Sequence, residues 1–166
     1  SLLAETWARL GEYYRQRSAD PLQGLTMMPK VERAYLRAIS LDPYSPKYYS
    51  QLRDVYAEMN ETVKGLDTLT RGVRNNPNDL ILRLLLVREL ERNGRLALAT
   101  YHVKQVVMRV DPRQVELYIR LAELYELRGM KDQAVRSYQY ARQLVPYTPQ
   151  SAGRLRRVAE RLGLSE

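Results

Sequence analysis

The stretch Val115-Glu-Leu-Tyr118-Ile-Arg-Leu121-Ala122-Glu-Leu-Tyr125-Glu-Leu-Arg-Gly129 decides the fold. Tyr118, Leu121, Ala122 and Tyr125 recur at i, i+3, i+4 and i+7, on one helical face. Gly129 then offers the left-handed conformation in which helices commonly end. A second run, Met130 to Pro146, carries Ala134, Tyr138 and Ala141 at i, i+4 and i+7. Small residues on both runs let two helices approach closely, and the large ones fill the space between them.

The punctuation of this stretch recurs along the chain. Pro43, Pro77, Pro112 and Pro146 follow one another at intervals of 34, 35 and 34 residues. Each comes after a helix-like phrase such as Ala38-Ile39-Ser40-Leu41-Asp42. Proline lacks the N–H and its ring clashes with the preceding turn, so each is expected to end a helix. A fixed period of this length signals a repeat architecture.

Counted from Val115, the unit resembles the tetratricopeptide repeat, a pattern of about 34 residues. Tyr118, Leu121, Ala122, Tyr125, Gly129, Ala134, Tyr138, Ala141 and Pro146 meet all of that family's signature positions. From Pro46 the matches are Tyr49, Leu52, Tyr56, Gly65, Gly72 and Pro77, with Asn60 at the glycine position. Arg53 at a small position and Leu69 at an aromatic one depart from the pattern. From Leu80 they are Leu86, Val87, Leu90, Gly94, Ala99, Val103 and Val106, with one extra residue before Pro112. The first unit is split. Trp7, Leu10, Gly11 and Tyr14 fit one phase, and Tyr35, Ala38 and Pro43 fit a phase about eight residues later, a shift judged against the 34-residue period. The insertion falls within 17–30 and is expected to lengthen the turn between the two helices. After Pro146, Thr148 suits an N-cap and Pro149 a first helical position. Leu155, Val158, Ala159 and Leu162 then form an apolar stripe flanked by Arg154, Arg157 and Arg161. Such a helix would close the stacking face of the last repeat. The resemblance implies an all-α, right-handed α-solenoid of antiparallel helix pairs. Its expected organisation is a single array over 1–166, with repeats at 4–45, 46–79, 80–114 and 115–148 and a capping helix at 149–163.

Composition narrows the function. The chain has 166 residues, a net charge of +8, no cysteine and one histidine, His102. Disulfides, thiolate chemistry and histidine-rich metal centres are therefore excluded. No apolar run approaches the roughly 20 residues a membrane span needs. Ser1 opens no signal pattern, and the missing initiator Met leads us to expect a processed chain or an excised piece. Tyr is 13 and Phe 0. Thirteen rings with polar tips suit half-buried interfaces between thin layers better than one thick core. No enzyme constellation emerges, and no cofactor is implied. His102 reads as a solvated or interface residue, and Glu123 and Glu126 as solvated acids on a repeat helix. Gly11, Gly94 and Gly129 are single landmarks rather than a phosphate loop.

The resemblance implies that the first helix of each repeat lines a concave groove. In relatives that bind a chaperone's C-terminal carboxylate, this groove carries Lys, Asn and Arg. Ala8, Glu12, Gln51, Ile81 and Leu85 stand at those positions here, which argues against that ligand. The first helix of the third repeat is apolar nearly all round. Ile81, Leu84 and Leu85 exceed what packing needs and are expected to face the groove, with Ile119 and Leu127 beside them. Arg88, Arg92, Arg120 and Glu123 complete the expected partner-binding groove. The function so implied is a non-enzymatic scaffold that binds a protein or peptide segment, with no small-molecule substrate. Two other occupants of the apolar surplus stay open, the insertion's own Leu22, Leu25, Met27 and Met28 or a second copy of the chain, and so does a different repeat register. RNA binding, as in pentatricopeptide arrays, is disfavoured because the positive excess is concentrated in 80–113 instead of recurring in each unit. Arg95, Lys104, Arg109 and Arg113 with Arg154, Arg156, Arg157 and Arg161 read as a solubilising surface, the alternative being an anionic membrane or polymer contact. The resemblance also admits a bacterial envelope or polysaccharide-assembly protein as context. A periplasmic or membrane-tethered location and a cytoplasmic one both stay open, with any membrane contact made through regions outside this chain.

Overall fold

The structure, a computed structural model, describes residues 1–20, 24–109, 113–144 and 147–164, and of Leu25 the backbone only. The described residues form α-helices and no strand. In order they are α1 (Leu2–Ser18), α2 (Gly24–Leu41), α3 (Pro46–Glu58), α4 (Thr62–Asn75), α5 (Leu80–Arg92), α6 (Leu96–Arg109), α7 (Val115–Leu127), α8 (Lys131–Gln143) and α9 (Pro149–Leu162). None of them is long and apolar enough to cross a membrane.

The turns follow from their residues. Gly129 has φ +70°, with Met130 N–H donating to the Tyr125 carbonyl at 2.9 Å and Gly129 N–H to Glu126 at 2.9 Å. These two bonds satisfy carbonyls that the end of α7 would otherwise leave open. Asn60 does the same after α3 at φ 57°, where Glu61 N–H reaches the Tyr56 carbonyl at 2.8 Å. Asn is the non-glycine residue best suited to this conformation. α2 and α4 end two residues before Pro43 and Pro77. Pro112 and Pro146 lie outside the described residues. Thr148 caps α9 through its side-chain oxygen, which accepts from Ser151 N–H at 3.1 Å, and Pro149 opens that helix.

The insertion is divided between turn and helix: five residues separate α1 from α2, against three between α3 and α4. α1 continues to Ser18, and α2 starts at Gly24 and runs for 18 residues, against 14 in α4 and α6. Part of the added sequence is therefore helix. α2 carries Pro29 inside it and forgoes one backbone hydrogen bond there. Burial of Val31, Ala34, Tyr35 and Ala38 on one face offsets that loss.

The chain divides into two compact units, Ser1–Leu86 and Val87–Glu166. In the first, small residues admit rings. Gly11 sits under Tyr35, and Gly72 under Tyr49, with both tyrosines almost wholly buried. Arg53, the misfit at a small position, faces Gly65, so the space missing on α3 is supplied by α4. The absence of Phe has its reason in the same unit. Tyr49 donates its hydroxyl to the Pro43 carbonyl at 2.9 Å and accepts from Asn75 Nδ2 at 2.6 Å. Tyr35 donates to Glu12 at 3.2 Å and Tyr56 to Glu32 at 2.8 Å.

In the second unit, α9 lays Leu155, Val158, Ala159 and Leu162 against Ile119 and Ala122 of α7 and Ala134, Tyr138 and Ala141 of α8. Each fully buried Leu or Val there is worth about 1.5–3 kcal/mol. Tyr125 of α7 is only partly buried against this cluster, and Tyr138 lies deeper.

Candidate protein-binding surfaces

Ile119 does not face a groove. It is completely buried in the core under α9, and no partner can reach it while that helix is in place. The reason is local. α9 packs over the very face of α7 that the resemblance assigns to the groove. Arg154 of α9 grips Glu123 through Nη2 at 2.6 Å and Nε at 3.3 Å, and also binds Glu116. Arg161 Nε binds Glu126 at 2.7 Å. Glu123 and Glu126 are thus structural acids, each held by an arginine, and Arg154 and Arg161 are engaged within the fold.

The other expected residues divide between surfaces. On α5, Leu82, Leu86, Val87 and Leu90 are buried, Ile81 is 70% exposed, and Leu84 and Leu85 are half-buried. Arg88 and Arg92 are exposed, and Arg92 Nη1 pairs with Glu89 at 3.1 Å. On α7, Leu127 is 68% exposed. In the second unit, Arg120, Glu123 and Leu127 come together with Glu91, Leu96 and Leu124 around a shallow cleft of about 290 Å³. Its polar wall is an ion pair, with Arg120 Nε 3.0 Å from Glu91 Oε1 and Nη2 2.6 Å from Oε2.

Met28, one of the insertion residues expected to cover apolar surface, lies beside Glu12, Arg15 and Glu58 in a recess of the first unit. Arg15 and Glu58 are themselves ion-paired there. Leu22 and the Leu25 side chain lie outside the described residues. Among the described residues, no group of three or more His, Asp or Glu side chains is placed to hold a metal ion. His102 is half-buried with its ring edge-on to Tyr101, centroids 5.2 Å apart.

A surface that sequence reasoning passed over lies in the first unit. Trp7, Leu10 and Tyr14 of α1 and Leu36 of α2 line an open recess of about 700 Å³. The repeat positions of Trp7, Leu10 and Tyr14 marked them as packing residues, yet here they are only partly covered. Leu36 two residues before Ala38, on the outer side of α2, was the available signal.

No known family model matches the sequence, and no curated protein matches it as a relative. Solved structures do resemble it in three dimensions. A MamA crystal structure superposes with a TM-score of 0.68 at 15% identity, covering 98% of this chain and 84% of that one. MamA from Desulfovibrio magneticus RS-1 gives 0.61 at 16% identity, with 91% and 84% covered. YrrB, a TPR protein with an unusual peptide-binding site, gives 0.59 at 16% identity, with 86% and 73% covered. At these identities the likeness is one of fold. The helix pairs, the three-residue turns after α3, α5 and α7, and these superpositions together give this chain the all-α, tetratricopeptide-type solenoid fold.

Proposed function

We propose that the chain is a non-enzymatic protein-interaction scaffold that holds a segment of a partner protein against the open face of α5. One observation carries this reading. α5 buries Leu82, Leu86 and Val87 on one side yet presents Ile81 at 70% exposure, with Leu84 and Leu85 half-covered beside it. A helix that only supported the fold would not need the second apolar face. Arg88 and Arg92 continue the same helix and supply a cationic flank. In the second unit, the cleft of Arg120, Glu123 and Leu127 offers an apolar tip beside fixed charges. The peptide-binding site named for YrrB supports the class of function.

Ile81→Glu is the sharper test, because Leu84 and Leu85 are partly packed. The exposed substitution should change stability by no more than about 0.5 kcal/mol. It should remove proteins that the wild-type chain retains from extracts of its source cells. Equal retention by a folded Ile81→Glu chain would rule out the α5 face. Retention of the chain's own untagged copy, and nothing else, would make the surface a self-association site instead.

A further inference from the structure

The α1–α2 recess is the feature that neither the core nor the α5 face accounts for. Its floor is apolar, made by Trp7, Leu10, Tyr14 and Leu36. Along one rim, Lys30, Arg33 and Arg37 follow at i, i+3 and i+7 on α2. Among the described residues, no acidic side chain lines it. None of these three cations joins an ion pair among the described residues. Lys30 lies 5.8 Å from the Tyr14 ring centroid, and Arg33 Nε reaches only its own helix, at the Pro29 carbonyl. Three unmatched cations beside a ring-lined recess form a binding surface with a definite charge preference.

The other end of the chain shows how this fold covers such a surface. α9 lies over α7 and α8 with an apolar stripe at i, i+3, i+4 and i+7. Its arginines are matched by Glu116, Glu123 and Glu126 on the covered pair. There the covered face of α7 is acidic and the covering helix basic. At the α1–α2 recess the rim is basic.

We propose that the α1–α2 recess is a docking site for an amphipathic helix of a partner protein, with leucine-type anchors along one face and carboxylates on its flank. The anchors rest on Trp7, Leu10 and Leu36, in the helix-in-groove manner. The carboxylates meet Lys30, Arg33 and Arg37. A lipid surface is the poorer fit, because the apolar residues line the floor of a recess, where a flat bilayer would meet the cationic rim first. This site is independent of the α5 face.

Trp7 is the chain's one tryptophan, so its emission reports on this recess alone. The probe is a Trp-free helical peptide of about five turns, or 18 residues. It carries Leu at i, i+3, i+4 and i+7 and Glu on the flanks, and is compared with a twin carrying Lys. The Glu peptide should shift Trp7 emission saturably and bind at least about tenfold tighter than the Lys twin at low salt, the gap narrowing as salt is added. Arg33→Glu with Arg37→Glu, both exposed, should reverse that order without loss of helicity. Ile81→Glu should leave it unchanged, which separates this site from the α5 proposal. Equal binding of the two peptides, or an unmoved Trp7 signal, would overturn the assignment. A Trp7 shift with phosphatidylserine vesicles but not with the Glu peptide would assign the recess to membranes. A shift that grows with protein concentration alone, alongside a dimer in sedimentation, would assign it to a second copy.

Discussion

Arg120 of α7 clasps Glu91 of α5 with two guanidinium nitrogens, Nε to Oε1 at 3.0 Å and Nη2 to Oε2 at 2.6 Å. Both side chains are less than a third exposed. A two-point pair of this kind fixes orientation as well as distance. It therefore sets the angle at which the end of α5 meets α7 within the second unit. Replacing Arg120 by Lys keeps the charge and loses the fork. We expect Arg120→Lys to recover little of the loss caused by Arg120→Ala, which should be about 1 kcal/mol. A double-mutant cycle with Glu91→Gln measures the coupling directly. A coupling of zero would make the pair a surface coincidence.

Two glycines inside helices should respond in opposite directions to alanine. A Cβ on Gly72 would stand 2.9 Å from Tyr49 Cγ, 3.0 Å from Tyr49 Cβ and 3.2 Å from Leu82 Cδ1. Tyr49 cannot retreat, because its hydroxyl is held at both Pro43 and Asn75. Gly72→Ala should destabilise by about 1–3 kcal/mol despite its better helix propensity. Gly153 in α9 has nothing within 4 Å of its would-be Cβ. Gly153→Ala should stabilise by about 0.5–1 kcal/mol. Urea midpoints of the two variants decide, and a stabilising Gly72→Ala would mean α3 and α4 are looser than the structure has them.

Much of this fold was readable one residue at a time. Asn60, Gly94 and Gly129 announced turns because few residues accept a positive φ, and each has one. Gly11 and Gly72 announced close helix approach because only their missing side chains admit Tyr35 and Tyr49. Surfaces were less readable, because exposure depends on what lies next door. Ile119 occupies a groove position by its resemblance to the repeat pattern, yet α9 covers it. Trp7, Leu10 and Tyr14 occupy packing positions by the same rule, yet stay partly open. The insertion within 17–30 read as a longer turn because the two halves of the first unit differ in phase, and phase does not say how much of the added sequence is helix. Pro29 lies inside α2 despite proline's penalty there. The buried stripe from Val31 to Ala38 outweighed that penalty.

Alkaline pH should loosen the first unit. Burial, reinforced by the Glu12 carboxylate alongside, pushes the Tyr35 hydroxyl up to about 12. Burial also raises Tyr56, with its hydrogen bond to Glu32 adding to the shift. The unfolded value is about 10. The folded chain therefore holds these protons more tightly than the unfolded one. That contribution to stability is complete below pH 10 and is lost as pH rises from 10 through 12. The melting temperature should fall across this window. Tyr35→Phe with Tyr56→Phe starts from a lower melting temperature, because two hydrogen bonds are gone, but should show a shallower decline. A decline of equal slope in the wild type and the double variant would place the alkaline weakness elsewhere.

Removal of α9 should expose a core instead of opening a groove. Ile119 is wholly buried, and Ala122, Ala134, Tyr138 and Ala141 share its cluster with Leu155, Val158 and Leu162. Deleting 149–166 strips three large apolar side chains from that cluster. It also leaves Glu116, Glu123 and Glu126 without Arg154 and Arg161. At about 1.5–3 kcal/mol for each buried side chain, the loss rivals the whole margin by which small proteins stay folded. The truncated chain should bind an apolar dye, melt well below the full chain and aggregate as its concentration rises. Leu155→Ala, a milder cut at the same contact, should cost about 2–5 kcal/mol without aggregation. Leu127→Ala serves as the control, because Leu127 is 68% exposed on the same helix as Ile119 and should change stability little. A truncated chain that melts where the full chain does and ignores the dye would mean that α9 rests on the surface. Ile119 would then return to the set of residues a partner could touch.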